Sequence, residues 1–123
     1  MKSAIVGLGV IGKVHKQLIN KLGFNLTAVC DIDQSKLQGL DDIKAFDDYV
    51  TMLNDVKPDV VHICTPHYLH AEMICEGLQR NINVLCEKPL AINESQLEQI
   101  EKAVQKSKAQ LGVCFQNRYN AAL

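Results

Sequence analysis

Short apolar runs alternate with longer helical patterns along the chain. The runs cover residues 4–6, 26–30, 45–46, 60–64, 83–86 and 111–115. Apolar runs of this length, separated by segments with helical spacing, are typical of strands joined by helical crossovers. The pattern therefore predicts an α/β fold, with a doubly wound parallel sheet of about six strands and helices on both faces.

The segment between the first two runs has the spacing of an amphipathic helix. Ile11, Val14, Leu18 and Leu22 recur at intervals of three and four residues, and Gly23 follows where a helix stop is expected. We therefore expect a helix of about three turns whose apolar face, formed by these four side chains, packs against the sheet.

The composition narrows the class of function. The chain has 123 residues, 47% of them hydrophobic, and a formal net charge of −1, which suits one domain with its own core. Positive and negative side chains are mixed, so we expect no nucleic-acid surface and no membrane patch. With no signal-peptide pattern and no stretch near the ~18 apolar residues of a membrane span, a cytoplasmic protein is expected.

The five cysteines show no pairing pattern. They lie at positions 30, 64, 75, 86 and 114, without a C-x-x-C pair or a cysteine and histidine cluster at zinc-site spacing. Four of them lie at or near the ends of apolar runs, where a free thiol behaves as a small buried hydrophobe. We therefore expect free thiols, no disulfide and no metal site.

A glycine-rich motif lies between the first strand and the first helix. Residues 7–12 read GLGVIG, with G-x-G-x-x-G spacing. Such glycines allow a tight turn, a close approach of the backbone to a pyrophosphate and close packing of helix on sheet, while the helix N-terminus attracts the phosphate charge. The candidate cofactor-binding residues of this loop are Gly7, Gly9, Val10, Ile11 and Gly12.

An acidic residue follows at the distance that this motif requires. Asp31 ends the second run 19 residues after Gly12, near the ~20 expected for an acid that binds the ribose hydroxyls of a dinucleotide. With its neighbour Ile32, it predicts a Rossmann-type site. Its carboxylate would repel the 2′-phosphate of NADP, so NAD is the preferred cofactor. The alternative is that Asp31 is a loop acid and that the glycines serve packing only.

A polar cluster follows the fourth run. Thr65, Pro66, His67 and His70 come directly after it, at the carboxyl end of a strand, where doubly wound sheets bind their ligands. We expect these four residues to face the cofactor. His67 and His70 also have the spacing of a metal pair, but the sequence has no nearby cysteine or carboxylate to complete a ligand set.

Two other histidines have packing as their default interpretation. His62 lies inside the fourth run, and His15 lies on the first helix, one position past Val14. We interpret His62 as a core histidine satisfied by hydrogen bonds. His15 is interpreted as a packing residue close to the glycine loop.

The stretch LCEKPLA, residues 85–91, ends the fifth run with an acid, a base and a proline. Glu87 and Lys88 should project from the same sheet edge as the glycine loop. Pro89 ends the strand and restricts Lys88 to an extended conformation, which fixes where its ammonium points. Lys88 is our candidate catalytic residue, able to donate a proton to a substrate hydroxyl or to help remove one. A solvated charge pair is the simpler alternative.

Five stretches together resemble the N-terminal domain of the glucose-fructose oxidoreductase, inositol dehydrogenase and rhizopine-catabolism family. They read GLGVIGKVH, CDID, TPHYLHAEM, VLCEKPLA and FQNRYN, and the resemblance covers essentially the whole chain. E-K-P about 20 residues after T-P-x-x-x-H, in a Rossmann context, is more specific than the glycine spacing. The resemblance implies hydride transfer between a nicotinamide cofactor and a carbinol of a sugar, polyol or related small substrate.

The same resemblance implies roles for the candidate residues. The glycine loop would bind the pyrophosphate and Asp31 the adenosine ribose, while Thr65, His67 and His70 would line the nicotinamide side. The family pattern usually has Asn where this chain has His67, so that contact departs from the pattern.

The resemblance also assigns the E-K-P residues and the last run. Glu87 and Lys88 would contact the nicotinamide ribose and the substrate, and family members often hold the following proline in cis, so we predict a cis Lys88–Pro89 bond. Gln116, a further candidate cofactor-binding residue, and Arg118 would belong to the strand and turn that lead out of the domain.

Members of this family carry a C-terminal α+β domain that supplies most of the substrate pocket and a general-base histidine. This chain ends at Leu123. We therefore expect residues 1–118 to form the dinucleotide-binding domain and 119–123 to begin the connection to an absent domain. The chain should bind NAD without turning over alone. The full-length enzyme would be a homo-oligomer, and this part alone a monomer with an exposed apolar surface.

Two other classes of protein remain open. A nucleotide-sensing regulatory Rossmann module without catalysis would need the glycine loop and Asp31, but it would not need E-K-P. A methyltransferase-like or purely structural Rossmann domain would make the glycine spacing and the cluster at 65–70 coincidental. Titration with NAD, NADP and S-adenosylmethionine separates these classes, whereas substrate identity and reaction direction depend on residues beyond this chain.

Overall fold

The computed structural model describes residues 1–40 and 42–114. Six parallel strands form one sheet in the order β3-β2-β1-β4-β5-β6. The strands are β1 Lys2–Val6, β2 Asn25–Cys30, β3 Lys44–Phe46, β4 Val60–Ile63, β5 Asn83–Glu87 and β6 Leu111–Cys114. The helices are α1 Val10–Lys21, α2 Tyr49–Val56, α3 His70–Gln79 and α4 Glu94–Lys106. The predicted doubly wound α/β fold is confirmed, while the boundary at residue 118 lies outside the described residues.

The two faces of the sheet carry separate cores. On one face α2, α3 and α4 pack over the strands, with fully buried side chains such as Met52, Ile74 and Leu78. On the other face α1 packs over β1, β2 and β4, with Ile19 and Val29 buried between them. Burying apolar side chains on both faces is what stabilises an all-parallel sheet.

The predicted apolar face of α1 is wrong at Leu18 and Leu22, whereas the predicted packing of His15 is confirmed. Leu18 is 37% and Leu22 is 65% exposed, whereas Gly12, His15 and Ile19 are buried. These three buried residues still have helical spacing, and the smallest of them, Gly12, is the one that meets the end of β1. Gly12 allows this close approach, and His15 finds polar partners on the strands below.

Helix α2 is absent from the predicted elements, although its sequence carries a helix signal. Asp48 caps its first turn, its carboxylate accepting from the Thr51 N–H at 2.9 Å. Tyr49, Met52 and Val56 follow on the buried side at spacings of three and four residues. The helix has only 8 residues, so its apolar spacing covers about two turns and is difficult to distinguish from a loop in the sequence.

The cysteines are free thiols, as predicted. Burial raises the pKa of Cys30 and of Cys86 to about 12, so both stay protonated in the core. Burial raises the pKa of Cys64 as well. These thiols therefore act as small apolar side chains. Among the described helices, none is both long enough and apolar enough to cross a membrane.

The start of α1 lies unusually close to the end of β1. A Cβ atom on Gly12 would lie 1.9 Å from the carbonyl oxygen of Gly7, and Gly7 itself has a φ of +93°. Both positions therefore require glycine, one for space and the other for its backbone conformation. The contact places the N-terminus of α1 at the carboxyl edge of the sheet.

We predict that Gly12→Ala lowers the free energy of unfolding by about 3 kcal/mol, because α1 must move away from β1. Gly9→Ala is the matched control, since a Cβ at Gly9 would meet nothing within 4 Å, and it should change stability by less than about 0.5 kcal/mol. Urea unfolding of both variants measures the difference. Equal stability of Gly12→Ala and the unaltered chain would contradict this close packing of α1 on β1.

Candidate functional site

The predicted site segments meet at one edge of the sheet. Val6 pairs with Cys30 and with Ile63, and Ile63 pairs with Cys86. The segments that come after these four strands are therefore neighbours. β1 lies between β2 and β4, so the connections leave it in opposite directions and open a crevice at this point. Gln116 lies outside the described residues, so its predicted role stays a prediction.

The glycine loop presents backbone N–H groups to this crevice. The first helical hydrogen bond of α1 runs from the Lys13 N–H to the Gly9 carbonyl at 3.0 Å, so the earlier amides of the helix have no partner within it. The Gly7 N–H donates to the Cys30 carbonyl at 2.8 Å and anchors the loop to β2. Val10 is 80% exposed. This arrangement suits an anion such as a pyrophosphate.

Asp31 is fixed by the backbone around it. One carboxylate oxygen accepts from the Leu8 N–H at 2.8 Å, and the other accepts from the Asp33 N–H at 2.9 Å. The side chain thus holds the glycine loop, and each oxygen keeps a second lone pair with which to accept from a ribose hydroxyl. Ile32, beside it, is 89% exposed. The sequence predicted the position of Asp31 but not its contact with the loop.

The cluster after β4 divides into exposed and buried members. Pro66 and His67 are exposed, and Thr65 is half-buried with its hydroxyl 3.3 Å from the Met73 sulfur. His70 is fully buried, whereas the sequence predicted that it would face the cofactor. Thr65, Pro66 and His67 therefore keep exposed surface at the end of β4, whereas His70 has none with which to contact a ligand.

The ring of His70 bridges two loops. Its Nδ1 lies 2.7 Å from the Pro89 carbonyl oxygen, and its Nε2 lies 2.8 Å from the Thr65 carbonyl oxygen. Each ring nitrogen of His70 thus lies within hydrogen-bond distance of a backbone carbonyl oxygen. The side chain connects the end of β4 to the segment that comes after β5.

Glu87 and Lys88 separate rather than projecting together. Glu87 is 5% exposed, while Lys88 is exposed. The Lys88 N–H donates to the Cys114 carbonyl at 3.0 Å, which continues the pairing of β5 with β6. The Lys88–Pro89 bond is cis, as predicted. The acid of the motif thus turns into the protein under α1, and the base lies at the surface.

A chain of polar contacts under α1 was not predicted. His15 Nε2 lies 2.6 Å from Glu87 Oε1, and His15 Nδ1 lies 2.8 Å from His62 Nδ1. The chain joins α1, β4 and β5. The only sequence signal for it was that His15 lies three residues after Gly12, one helical turn along the face that meets the sheet.

Electrostatics determine the charge of one histidine among these polar contacts, His62. Burial, and next the charge of His15, lower the pKa of His62 to about 4, so His62 is neutral near pH 7. With Glu87 ionised, the His15 Nε2–H donates to its carboxylate. A hydrogen bond between the Nδ1 atoms of His15 and His62 needs one proton between them, which either ring can carry.

Three possible metal ligands lie together in this region. The His15 and Glu87 ligand atoms and the Cys114 sulfur are all within 4.8 Å of one another. Two ligand atoms of a tetrahedral zinc ion at ~2.0–2.1 Å would be about 3.3 Å apart, whereas the nitrogen and oxygen here are 2.6 Å apart. The described geometry is therefore that of a hydrogen-bonded pair.

Beside this polar chain the sheet is open. A cavity of about 360 Å³ is lined by His15 and His62 and by apolar side chains that include Leu18, Phe24 and Leu85. A second cavity, of about 490 Å³, lies by the amino ends of β4 and β5, near Pro58 and Ile82. Its lining includes none of the predicted site residues, so it takes no part in the candidate site.

The fold and the crevice define the class of protein as a dinucleotide-binding domain of the Rossmann type. Residues 1–115 match the family described as an oxidoreductase family with an NAD-binding Rossmann fold, GFO_IDH_MocA. The chain belongs to this family, as its motifs predicted.

Curated relatives and solved structures agree with this assignment. Inositol 2-dehydrogenase of Salmonella typhimurium is 34% identical over 98% of this chain, and D-glucoside 3-dehydrogenase of Escherichia coli is 34% identical over 97%. The scyllo-inositol dehydrogenase of Lactobacillus casei with bound NAD(H) and scyllo-inositol superposes with a TM-score of 0.88 at 25% identity over 99% of this chain. The chain spans 38%, 36% and 38% of the lengths of these three proteins.

We predict that His62 makes folding stability depend on pH. Its folded pKa is about 4 against an ordinary 6.5, so the unfolded chain takes up a proton first as the pH falls. Above pH 6.5 His62 is neutral in both states and does not lower the free energy of unfolding. As the pH falls to 4 that free energy decreases by about 2 kcal/mol, allowing for the partial exposure of His62. Urea unfolding across this range should show a shallower pH dependence for His62→Gln.

His67→Gln is the matched control, because His67 is exposed, and it should retain the pH dependence of the unaltered chain. Identical pH profiles for His62→Gln and the unaltered chain would show that His62 is not the buried neutral group described here.

Proposed function

We propose that this chain is the cofactor-binding half of an NAD-dependent oxidoreductase that transfers hydride between nicotinamide and a carbinol of a polyol or sugar. The observation that carries the proposal is the convergence of the glycine loop, Asp31 and Lys88 at one crevice of the sheet. The names of the relatives, which include dehydrogenases of inositols and of a glucoside, support the substrate class.

The adenosine half of the cofactor would bind at the β1 and β2 side of the crevice. Amides of the loop formed by residues 7–12 would donate to the pyrophosphate, helped by the N-terminus of α1. Asp31 would accept from the ribose hydroxyls, and the exposed Ile32 would lie against the adenine side. Because both carboxylate oxygens of Asp31 are held by backbone amides, the acid cannot easily turn away from a 2′-phosphate. NAD is therefore favoured over NADP.

The nicotinamide half would lie along β4 and β5. Thr65, Pro66 and His67 would line it, and the exposed Lys88 would reach the substrate beside it. The cofactor, when bound, supplies the hydride acceptor. Lys88 Nζ would hold the substrate hydroxyl and take or return its proton as the carbonyl forms or is reduced.

Turnover would need residues that relatives carry beyond the length of this chain, which spans 36–38% of theirs. We propose that a second domain supplies the rest of the substrate pocket and the proton-transfer partner of Lys88. The open apolar face beside α1, with Leu18, Leu22 and Phe24 exposed, supports an additional covering element. The full protein would assemble as a homo-oligomer, and the chain alone would bind NAD without catalysis.

A nucleotide-sensing module is the second candidate function. The glycine loop and Asp31, which are hydrogen-bonded to each other, would form the adenosine side of the crevice, and both lie within the described residues. A sensor would need no more. A sensor would not depend on Lys88, however, so the two functions differ in what a change at that residue does.

We predict that the chain binds NADH at least ten times more tightly than NADPH, measured by the fluorescence of the reduced nicotinamide. Asp31→Asn should narrow this ratio, because it removes the charge that repels the 2′-phosphate. Asp33→Asn is the matched control, since Asp33 is an exposed acid two residues away, and it should leave the ratio unchanged. Equal binding of both cofactors by the unaltered chain would refute the assignment of NAD.

We predict that the 123-residue chain forms no NADH from NAD and myo-inositol or glucosides, followed by absorbance. In the full-length protein, Lys88→Met should lower kcat by about 100-fold and raise the Kd for NADH by no more than about tenfold. Lys102→Met, an exposed change on α4, should be silent. A sensor would form no NADH from polyols, either as the full-length protein or as the 123-residue chain. Turnover by the 123-residue chain would contradict the proposal that catalysis needs a second domain.

A further inference from the structure

We propose that two buried histidines, His15 and His70, position the catalytic Lys88 by fixing the residues on either side of it. The inference deepens the proposed function and rests on it, because it concerns how Lys88 is held at the nicotinamide end of the crevice. Neither histidine touches the reacting atoms in this arrangement. Both act through a neighbour of Lys88.

On the amino side of Lys88, the contact runs through Glu87. His15 is 1% exposed, and its Nε2 lies 2.6 Å from the Glu87 carboxylate. Charge-assisted hydrogen bonds of this length are strong in a buried site. The contact fixes the last residue of β5 against α1, and His62 holds the other ring nitrogen of His15 at 2.8 Å.

On the carboxyl side of Lys88, the contact runs through the backbone. The His70 Nδ1 lies 2.7 Å from the Pro89 carbonyl oxygen, while its Nε2 reaches the Thr65 carbonyl oxygen at 2.8 Å. His70 thus ties the residue after Lys88 to the end of β4. The two tied loops carry the residues proposed to line the nicotinamide.

Three elements together fix residues 87–89. Glu87 is held from α1, the Lys88 N–H donates to Cys114 of β6 at 3.0 Å, and Pro89 is held from α3. The long side chain of a lysine has many rotamers and loses entropy when it is held in one. Fixing the backbone on both sides of Lys88 confines the arc that its ammonium can sweep, which is the requirement for a positioned proton-transfer group.

The same helix connects the two halves of the crevice. α1 begins at the glycine loop, and His15 lies one turn beyond Gly12 on its buried face. The separation between the pyrophosphate-binding amides and Lys88 is therefore set by a single rigid element. Loss of the contact between His15 and Glu87 should free the nicotinamide side while leaving the adenosine side intact.

A structural role alone would predict a different pattern. Replacing buried polar groups by apolar ones of similar size is often neutral or stabilising, and a general loosening of α1 would weaken every ligand contact of the glycine loop. A positioning role affects only ligands that reach Lys88. NADH would reach it, whereas ADP, which lacks both the nicotinamide and its ribose, would not.

The test compares the Kd values of NADH and ADP for the 123-residue chain and its variants by calorimetry. The unaltered chain should bind NADH about tenfold more tightly than ADP. In His15→Leu and in His70→Leu this ratio should fall toward one, with the Kd for ADP within twofold. His15→Gln, whose amide can still donate to Glu87, should restore most of the ratio.

Ile19→Ala is the matched control, because Ile19 is buried on the same helix within the apolar cluster of Ile5, Leu26 and Val29. It should lower stability without changing the ratio. Where His15→Leu does not fold, His15→Asn replaces it, since its shorter amide reaches His62 but not Glu87.

The outcomes separate the inference from the proposed function. If the unaltered chain binds neither ligand, the proposed function fails and the inference fails with it. If NADH binds but the histidine variants leave the ratio unchanged, or weaken both ligands in parallel, the positioning role is overturned and cofactor binding stands. Equal affinity of the unaltered chain for the two ligands also overturns it, because Lys88 and its loop would then add nothing to binding.

Discussion

The close contact between Gly12 of α1 and Gly7 at the end of β1 is the constraint on which the site depends. A Cβ at Gly12 would lie 1.9 Å from the Gly7 carbonyl oxygen, so α1 meets the sheet backbone to backbone. This approach aims the helix N-terminus into the crevice. One turn later, it brings His15 within 2.6 Å of the Glu87 carboxylate. A helix held farther from the sheet would lose both arrangements.

Much of the fold and of the candidate site could be predicted because the relevant signals are local. Strand-length apolar runs predicted the six strands, and parallel pairing places all their carboxyl ends at one edge. The glycine loop and Asp31 lie in segments whose spacing is set by one crossover unit. A segment that comes directly after a strand could therefore be assigned to the crevice without knowledge of any long-range contact.

The predictions that failed depended on contacts between distant residues. Apolar spacing favoured Leu18 and Leu22 on the packed face of α1, but both are exposed. His15 packs as predicted, yet its polar partners His62 and Glu87, 47 and 72 residues away, were not predicted. Periodicity cannot weigh such partners, because it scores each residue type alone. For the same reason, the sequence could not separate Glu87, turned under α1, from the exposed Lys88.

The desolvation cost of buried polar side chains in this domain is concentrated near residues 87–89. Among the described residues, the buried histidines and carboxylates are His15, His70 and Glu87, and all three bear on residues 87–89. Each costs desolvation that an aliphatic side chain would not, in a domain whose net stability is on the order of 5–15 kcal/mol. The core under α2, α3 and α4 is instead built from apolar side chains, with Tyr49 donating its hydroxyl to the Met73 carbonyl. The cost is thus concentrated where backbone position matters most, beside the lysine at the end of β5.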